Sequence, residues 1–142
     1  MNVPRLRMRS TLASALLVAT AGCVSLGEPN TGPNMVNTPV VGAAGQGVGF
    51  QVVARNFTFD QTYAGPAVGD SLGVGLYVSS YGGGSALIEI VDSTATKQLQ
   101  LPVSGNVIQA QSTVHGVPPY TLHVQFSNFS GVLVLGVGVN GS

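Results

Sequence analysis

The sequence predicts an all-β protein built as a single antiparallel β-sandwich of seven or eight strands. Composition is the first observation, because 44% of the residues are hydrophobic, 7% are charged and 20 are glycine. Residues that favour helices, such as Glu, Lys and Arg, are scarce, whereas Val, Thr and Gly are abundant. Spacing is the second observation, because apolar runs recur about every 8–12 residues with Gly or Pro between them, as in sandwiches and barrels.

Alternation of apolar and polar residues within these runs is the third observation, and it is typical of strands with one buried face. In the first run Phe50, Val52 and Ala54 share a face, and a bulge is expected near Asn56. The polar run 107–114 is expected at an edge, the run 86–91 in the middle of the sheet and the run 132–139 in the interior. The pattern resembles the immunoglobulin-like and jelly-roll modules of bacterial surface proteins, although no family motif is matched. The predicted strands are 48–59, 71–79, 86–91, 97–101, 107–114, 120–127 and 132–139.

The first 23 residues have the three zones of an export signal. Residues 1–10 contain Arg5, Arg7 and Arg9 and no acid, and residues 12–21 are apolar or small. That apolar segment is shorter than the roughly 20 residues of a membrane-spanning helix. The sequence Thr-Ala-Gly-Cys then ends at Cys23, the only cysteine of the chain.

This arrangement resembles the signal peptide and lipobox of bacterial lipoproteins, in which small residues precede a lipid-carrying cysteine. The resemblance implies that residues 1–22 are removed and that Cys23 carries the anchor, although Thr20 stands where leucine is commonest. The alternative is an ordinary signal peptide cut near 19–22, which would leave a free thiol. A single cysteine cannot form an internal disulfide, which favours its use as an anchor. Val24, rather than Asp, follows the cysteine, and in enterobacterial-type lipoproteins this implies the outer membrane.

Residues 23–47 are predicted to be a flexible tether, and residues 48–142 the β-sandwich domain. The segment contains Pro29, Pro33 and Pro39 among Gly and Asn residues and has no sustained periodicity. The alternative is that 35–41 adds an edge strand to the domain.

Charge excludes nucleic acid as a partner. Without the three signal-peptide arginines the chain keeps Arg55 and Lys97 against five acidic residues, a net charge of 2 − 5 = −3. Binding to phosphate backbones requires clustered cations. The same count disfavours electrostatic docking to anionic lipid.

No catalytic or metal motif is recognisable, so a non-enzymatic protein without cofactors or metals is expected. The chain lacks a G-x-S-x-G elbow. His115 and His123 have no cysteine or carboxylate near them in sequence, and zinc needs three or four converging ligands. The run 82–84 is glycine only and is expected to be a turn rather than a phosphate loop.

Two binding hypotheses remain. The leading one is a lipid-anchored envelope protein that presents its sandwich to another envelope protein or to matrix, through an uncharged polar surface of Thr121, His123, Gln125, Gln109, Gln111 and Ser112. The alternative is a carbohydrate-binding module that uses Tyr63, Tyr77 and Tyr81 as exposed rings. Against it, tyrosines can instead close the ends of the sheet with their hydroxyls hydrogen-bonded at the rim.

Overall fold

The computed structural model describes residues 35–140, which form six β-strands. Over this range there is no helix, and so none that is long and apolar enough to cross a membrane. The predicted signal peptide, Cys23 and the first part of the tether lie outside the described residues. The strands are β1 (Val40–Ala44), β2 (Gly47–Ala64), β3 (Ser71–Val91), β4 (Lys97–Val103), β5 (Val107–His115) and β6 (Thr121–Val139).

The strands form one antiparallel sheet in the order β1-β2-β6-β3-β4, with β5 paired to β3. Three strands are much longer than the others: β2 has 18 residues, β6 has 19 and β3 has 21. They are neighbours in the middle of the sheet.

All three long strands are irregular at the same level. The register shifts between Ala54 and Phe57 in β2, and between Ser79 and Ser85 in β3, beside the left-handed residue Asn128 of β6. Bulges bend a strand and increase its twist. The bend divides the sheet into a first half (β1, β5 and residues 47–54, 71–79 and 131–139) and a second half (β4 and residues 57–64, 85–91 and 121–127).

The inner faces of the two halves share one hydrophobic core. Phe50 of the first half lies 6.1 Å, ring centroid to ring centroid, from Phe126 of the second. The sheet is therefore folded on itself as a sandwich. The most deeply buried residues of the core include Phe50, Leu72, Ile88, Leu122, Phe126, Phe129, Leu133 and Leu135.

Two related tripeptides hold the bend between β2 and β6. Phe57 of Asn-Phe-Thr is opposite Phe129 of Asn-Phe-Ser in the register. The backbone N–H of Asn56 donates to Ser130 Oγ at 2.8 Å. Asn56 and Asn128 have φ of 47° and 49°, a conformation that asparagine tolerates better than most residues.

The all-β antiparallel prediction is confirmed, and the bulge expected near Asn56 is present. The strand count is six rather than seven or eight. The runs 71–79 and 86–91 belong to one bent strand, as do 120–127 and 132–139, and β1 adds a strand before residue 48. The polar run 107–114 lies at an edge as predicted, and β6 is central. The predicted loop after residue 59 begins later, because β2 continues to Ala64.

The tether prediction does not hold over the described part of 23–47. β1 pairs with β2 there, and Val36 forms a parallel bridge with Val53. Asn37 donates its N–H to Val53 O at 2.8 Å, and its Oδ1 accepts from Arg55 N at 2.8 Å. The edge-strand alternative is closer to the structure. Pro39 precedes the strand, where a missing N–H removes no ladder hydrogen bond.

Candidate binding sites on the outer faces

The three tyrosines proposed as sugar contacts lie in different environments. Tyr77 is on the outer face of the first half and is 45% exposed. Tyr63 packs on Phe50 at 5.9 Å between ring centroids, and burial raises the pKa of its phenol. Tyr81 is half-buried, and its hydroxyl donates to Gly84 O at 2.7 Å. The structure therefore does not bring the three rings together. Of the three side chains, Tyr77 is the exposed one.

The outer face of the first half is lined by glycine. Alternation places every second residue of each strand outward, and the registers align these residues in rows across the sheet. The middle and third rows contain seven glycines. We call these three rows the glycine face. They are Val40, Gln51, Val134 and Tyr77; then Gly42, Gly49, Gly136, Gly75 and Gln111; then Ala44, Gly47, Gly138, Gly73 and Thr113.

Packing within the chain does not explain two of these glycines. A Cβ atom added at Gly75 or Gly136 would meet nothing within 4 Å, and neither residue has a positive φ. Glycine inside a strand is destabilising by about 0.5–1 kcal/mol relative to alanine. Such a glycine often marks a place where a ligand or another backbone approaches closely. Gly75 and Gly136 therefore have the properties of a contact surface, whereas Gly47 and Gly49 of the same rows are buried.

Gln51 gives an independent indication at the same place. Its neighbours Phe50 and Val52 point into the core, so its own side chain is on the glycine face. The residue is only 9% exposed, and its Oε1 has no hydrogen-bond partner in the described part of the chain. A buried acceptor left unpaired costs about 1–3 kcal/mol. A partner from outside the described residues would remove that cost.

The border of the glycine face is apolar on one side and polar on another. Tyr77 and Val134 lie next to each other in the first row. Gln111 and Thr113, both exposed, end the other two rows on β5. None of the residues in the three rows carries a charge.

The outer face of the second half is different, because a network of charged groups crosses four strands there. His123 of β6 lies 2.7 Å (Nε2) from Asp60 Oδ1 and 3.0 Å (Nδ1) from Glu89 Oε2. Lys97 Nζ and Gln100 Nε2 both donate to Glu89 Oε1, at 2.6 and 2.8 Å. We call Asp60, His123, Glu89 and Lys97 the charged network.

The charged network fixes the protonation of its members. Two carboxylates face the two ring nitrogens, so the imidazolium form, which donates from both, satisfies both contacts. Hydrogen bonds to Asp60 and then Glu89 raise the pKa of His123. Hydrogen bonds from Lys97 and then His123 lower the pKa of Glu89 to about 2.

The network has the features of a structural clamp rather than of a catalytic site. Both nitrogens of His123 are engaged, so neither is available to accept a proton from a substrate. No group of three or more His, Cys, Asp or Glu residues able to hold a metal ion occurs in the part of the chain that the structure describes. His115 is exposed and lies opposite Ser71, away from the network. The surface expected to be uncharged around Thr121, His123 and Gln125 is thus flanked by Asp60, Glu89 and Lys97.

Cross-strand register explains what the sequence did not reveal. Asp60, Glu89 and His123 belong to three different strands and are brought together only by the pairing of β2, β6 and β3. The G-x-G repeats at 47–49, 73–75 and 136–138 were visible as a signal, but their alignment into rows requires the same register. No feature of the sequence predicted that Gln51 is buried.

Comparison with known proteins gives distant likenesses only. No protein-family profile matches the sequence, and no curated protein matches it. The chain is similar to the N-terminal cellulose-binding domain of β-1,4-glucanase C from Cellulomonas fimi, with 13% identity, a TM-score of 0.38 and coverage of 72% of this chain and 84% of that one. It is also similar to the capsular polysaccharide assembling protein CapF from Staphylococcus aureus, with 12% identity, a TM-score of 0.32 and coverage of 73% of this chain and 31% of that one. Neither likeness is close enough to indicate what this chain binds.

Proposed function

We propose that this protein is a non-enzymatic, lipid-anchored component of the bacterial cell envelope whose β-sandwich binds carbohydrate on the glycine face. The observation that carries the proposal is the exposed Tyr77 ring beside Gly75 and Gly136, two paired glycines that no internal packing requires. A pyranose ring has an apolar face of C–H groups and a rim of hydroxyls. The glycine rows allow such a face to approach the backbone, and Tyr77 offers a flat apolar partner.

Carbohydrate suits this surface better than a broad protein contact. Protein interfaces gain most of their affinity from bulky side chains buried at the centre of the contact. The centre of the glycine face contributes none of these. Its exposed polar groups, Gln111 and Thr113, stand at the border, where they can bond the hydroxyls of a ring that lies on the glycines.

Binding by the full-length chain, purified in detergent, to an array of oligosaccharides tests the proposal. Tyr77→Ala removes the ring, and Gly136→Val places a branched side chain in the middle row. Both variants are expected to lower affinity at least 10-fold. Thr121→Val is the matched control, because it puts the same side chain at an outward position of the same strand in the other half. Its affinity is expected to equal that of the unmodified protein.

Two results would contradict carbohydrate binding on the glycine face. Unchanged affinity in Gly136→Val would show that the glycine face is not the site. Absence of any oligosaccharide ligand, together with a discrete protein adduct from a photocrosslinker placed at Tyr77 in living cells, would replace the glycan with an envelope protein as the partner.

The lipid anchor at Cys23 is proposed because the sequence Thr-Ala-Gly-Cys resembles a lipobox, and it is tested separately. Cys23→Ala removes the thiol that would carry the lipid, so the protein is expected to move from the membrane fraction to the soluble fraction. Cys23→Ala protein that stays with the membrane would contradict lipidation and leave the glycan proposal untouched.

A further inference from the structure

We propose that the open side of the sandwich, beneath β1, is a second binding site, which takes one extended peptide as an additional strand of the sheet. The site is lined by Val41 of β1 and by Phe59, Gln61 and Tyr63 of β2, and we call it the strand slot. These side chains point to the inner face of the sheet, whereas the glycine face is on the outer one. The inference therefore goes beyond carbohydrate binding and does not depend on it.

The two halves of the sandwich have different numbers of strands. The first half has five, in the order β1-β2-β6-β3-β5, and the second has four, in the order β2-β6-β3-β4. Phe50 of the first half lies over Phe59 and Tyr63 of the second, at 6.2 and 5.9 Å between ring centroids, so β2 lies over β2. At the other side of the sandwich, β5 and β4 lie together. Within residues 35–140, β1 therefore has no strand opposite it.

The exposure of the inward side chains shows that this place is open. Val41 pairs with Phe50 and points to the same inner face, yet it is 37% exposed, whereas Phe50 is fully buried. Phe59 and Tyr63 pack against the core but are only half-buried, and Gln61 between them is exposed. A strand beneath β1 would remove this apolar surface from water, which favours its addition.

The backbone of β2 is open along the same slot. β1 pairs with β2 as far as Gln51, and Asn37 bonds to Val53 and Arg55 just before the bend. From residue 57 to residue 64, β2 pairs with β6 on one side and with no other strand in the described part of the chain. The edge of such a strand presents unpaired N–H and C=O groups to a further strand.

This edge lacks the features that protect other edges. Edge strands are commonly guarded by lysine or proline, or are very short. β4 contains Lys97 and Pro102, and β1 has five residues. The segment 57–64 has eight residues and contains neither lysine nor proline. Its sequence therefore leaves strand addition possible where the other edges oppose it.

The overhang of β1 decides the kind of partner. Two identical edges that pair antiparallel are related by a two-fold axis perpendicular to the sheet, which keeps both first halves on the same side. The β1 strand of a second copy would then lie where β2 of the first copy already is. A single extended peptide has no second layer and fits beneath β1.

Charge and alternation define the peptide. Every second side chain of an added strand points into the slot, which is mainly apolar, and the others point outward beside Asp60. Asp60 is largely exposed, and the segment 57–64 contains no cation. Opposite charges on neighbouring strands stabilise their pairing. The partner is therefore a strand that alternates apolar and polar residues and has a lysine or arginine opposite Asp60.

The probe is the acetylated and amidated peptide Val-Thr-Val-Lys-Val-Thr-Val with a fluorescent label. Paired with residues 57–63 in either direction, it places its lysine opposite Asp60. Fluorescence anisotropy measures its binding to the full-length chain in detergent. Val41→Asp puts a charge over the slot and is expected to weaken binding by about 10-fold or more, because the added strand would desolvate it.

Val40→Asp is the matched control for Val41→Asp. Val40 is the preceding residue of the same strand and is 36% exposed, but it points to the outer face. Its substitution is expected to change peptide affinity by less than about twofold. Neither valine is buried, so both variants are expected to fold.

Altered peptides test the strand pairing itself. Glutamate in place of the lysine should weaken binding, because it faces Asp60. Alternate backbone N–H groups of a strand face the same neighbour, so two peptides are made, each N-methylated on one alternate set. One set should abolish binding and the other should leave most of it. Binding that neither set affects would overturn the strand addition.

The remaining outcomes separate this inference from carbohydrate binding on the glycine face. No binding of the unaltered peptide, or equal losses in Val41→Asp and Val40→Asp, would overturn the strand slot and leave the glycine face in place. A dimer in sedimentation without peptide, lost in Val41→Asp, would assign the slot to a second copy instead. Loss of oligosaccharide affinity in Val41→Asp but not in Val40→Asp would make the slot the sugar site and overturn both proposals.

Discussion

At the scale of single residues, His123 makes the stability of the fold depend on pH. Its contacts with Asp60 and Glu89 raise its folded-state pKa above the ordinary 6.5. A group with a raised folded pKa contributes fully below its unfolded pKa and loses that contribution as pH rises through the folded pKa. Stability from His123 is therefore present below about pH 6.5 and falls at higher pH.

Glu89 sets the acid side of the same profile. Its pKa is lowered from 4.5 to about 2, chiefly by Lys97 and His123. A group with a lowered folded pKa contributes above its unfolded pKa and loses that contribution as pH falls. The charged network is thus fully effective between about pH 4.5 and 6.5.

Thermal unfolding from pH 3 to pH 9 checks this profile. The unmodified protein should lose about 1 kcal/mol on the alkaline side, a modest figure because Asp60 is 61% exposed and solvent screens the pair. For a domain of this size that is a fall of roughly 4–8 °C. His123→Gln should remove the alkaline slope. A slope that persists in His123→Gln would assign the titration to another group.

Asp92 is the residue whose loss should cost most among the polar side chains. It is 6% exposed, and its carboxylate accepts five hydrogen bonds, from Thr94 N and Oγ1, Thr96 N, Gln98 Nε2 and Val117 N. These bonds, the one from Thr94 first, hold its pKa below the usual range. Asp92→Ala removes the acceptor of five part-buried hydrogen bonds and should destabilise the protein by about 1–3 kcal/mol. Chemical denaturation measures the loss, and a value below 1 kcal/mol would show that water replaces the carboxylate.

At the scale of elements, β3 contains two glycines with opposite requirements. Gly84 lies at the bend with φ of +76°, and an added Cβ would clash with the backbone oxygen of Asn128. Gly75 lies on the glycine face with open space around it. The same substitution therefore tests two different reasons for glycine in a single strand.

Gly84→Ala is expected to destabilise the protein by more than about 3 kcal/mol, because the clash is with backbone that cannot move aside. Gly75→Ala is expected to be neutral or to stabilise by up to about 1 kcal/mol. Unfolding midpoints in urea compare the two variants. Equal losses would mean that the glycine face is constrained by the fold itself, which would weaken its assignment as a ligand surface.

The strands also show which structural features could be predicted from the sequence. Alternation within single runs predicted that Phe50, Val52 and Ala54 face the core, and did the same for the apolar faces of 120–127 and 132–139, because alternation is a local property. The bulge near Asn56 could also be predicted, because asparagine tolerates the left-handed conformation better than most residues. The sequence could not show that 71–79 and 86–91 form one continuous strand, because three consecutive glycines, 82–84, are as typical of a turn between two strands as of a bend within one strand. The charged network and the glycine rows depend on register between residues far apart in the sequence, such as Gly47 and Gly138, whose separation is 138 − 47 = 91 positions.

At the scale of the whole molecule, the two outer faces are separated by a common core and can be altered independently. The charged network lies on the second half and the glycine face on the first, and each points away from the hydrophobic interior. Residues that share no partners have effects that add. Binding and pH-dependent stability are therefore expected to be separable in this protein.

Tyr77→Ala and His123→Gln test that separation as a matched pair. Tyr77→Ala should weaken oligosaccharide binding and leave the shape of the pH–stability profile unchanged. His123→Gln should flatten the alkaline side of that profile and leave the affinity unchanged at pH 6, where the fold is stable in both proteins. Affinity should also be insensitive to salt between 50 and 500 mM, about 14 and 4 Å of screening length, because the glycine face has no charge to screen. Loss of affinity in His123→Gln, or a steep dependence on salt, would place the ligand on the charged network instead.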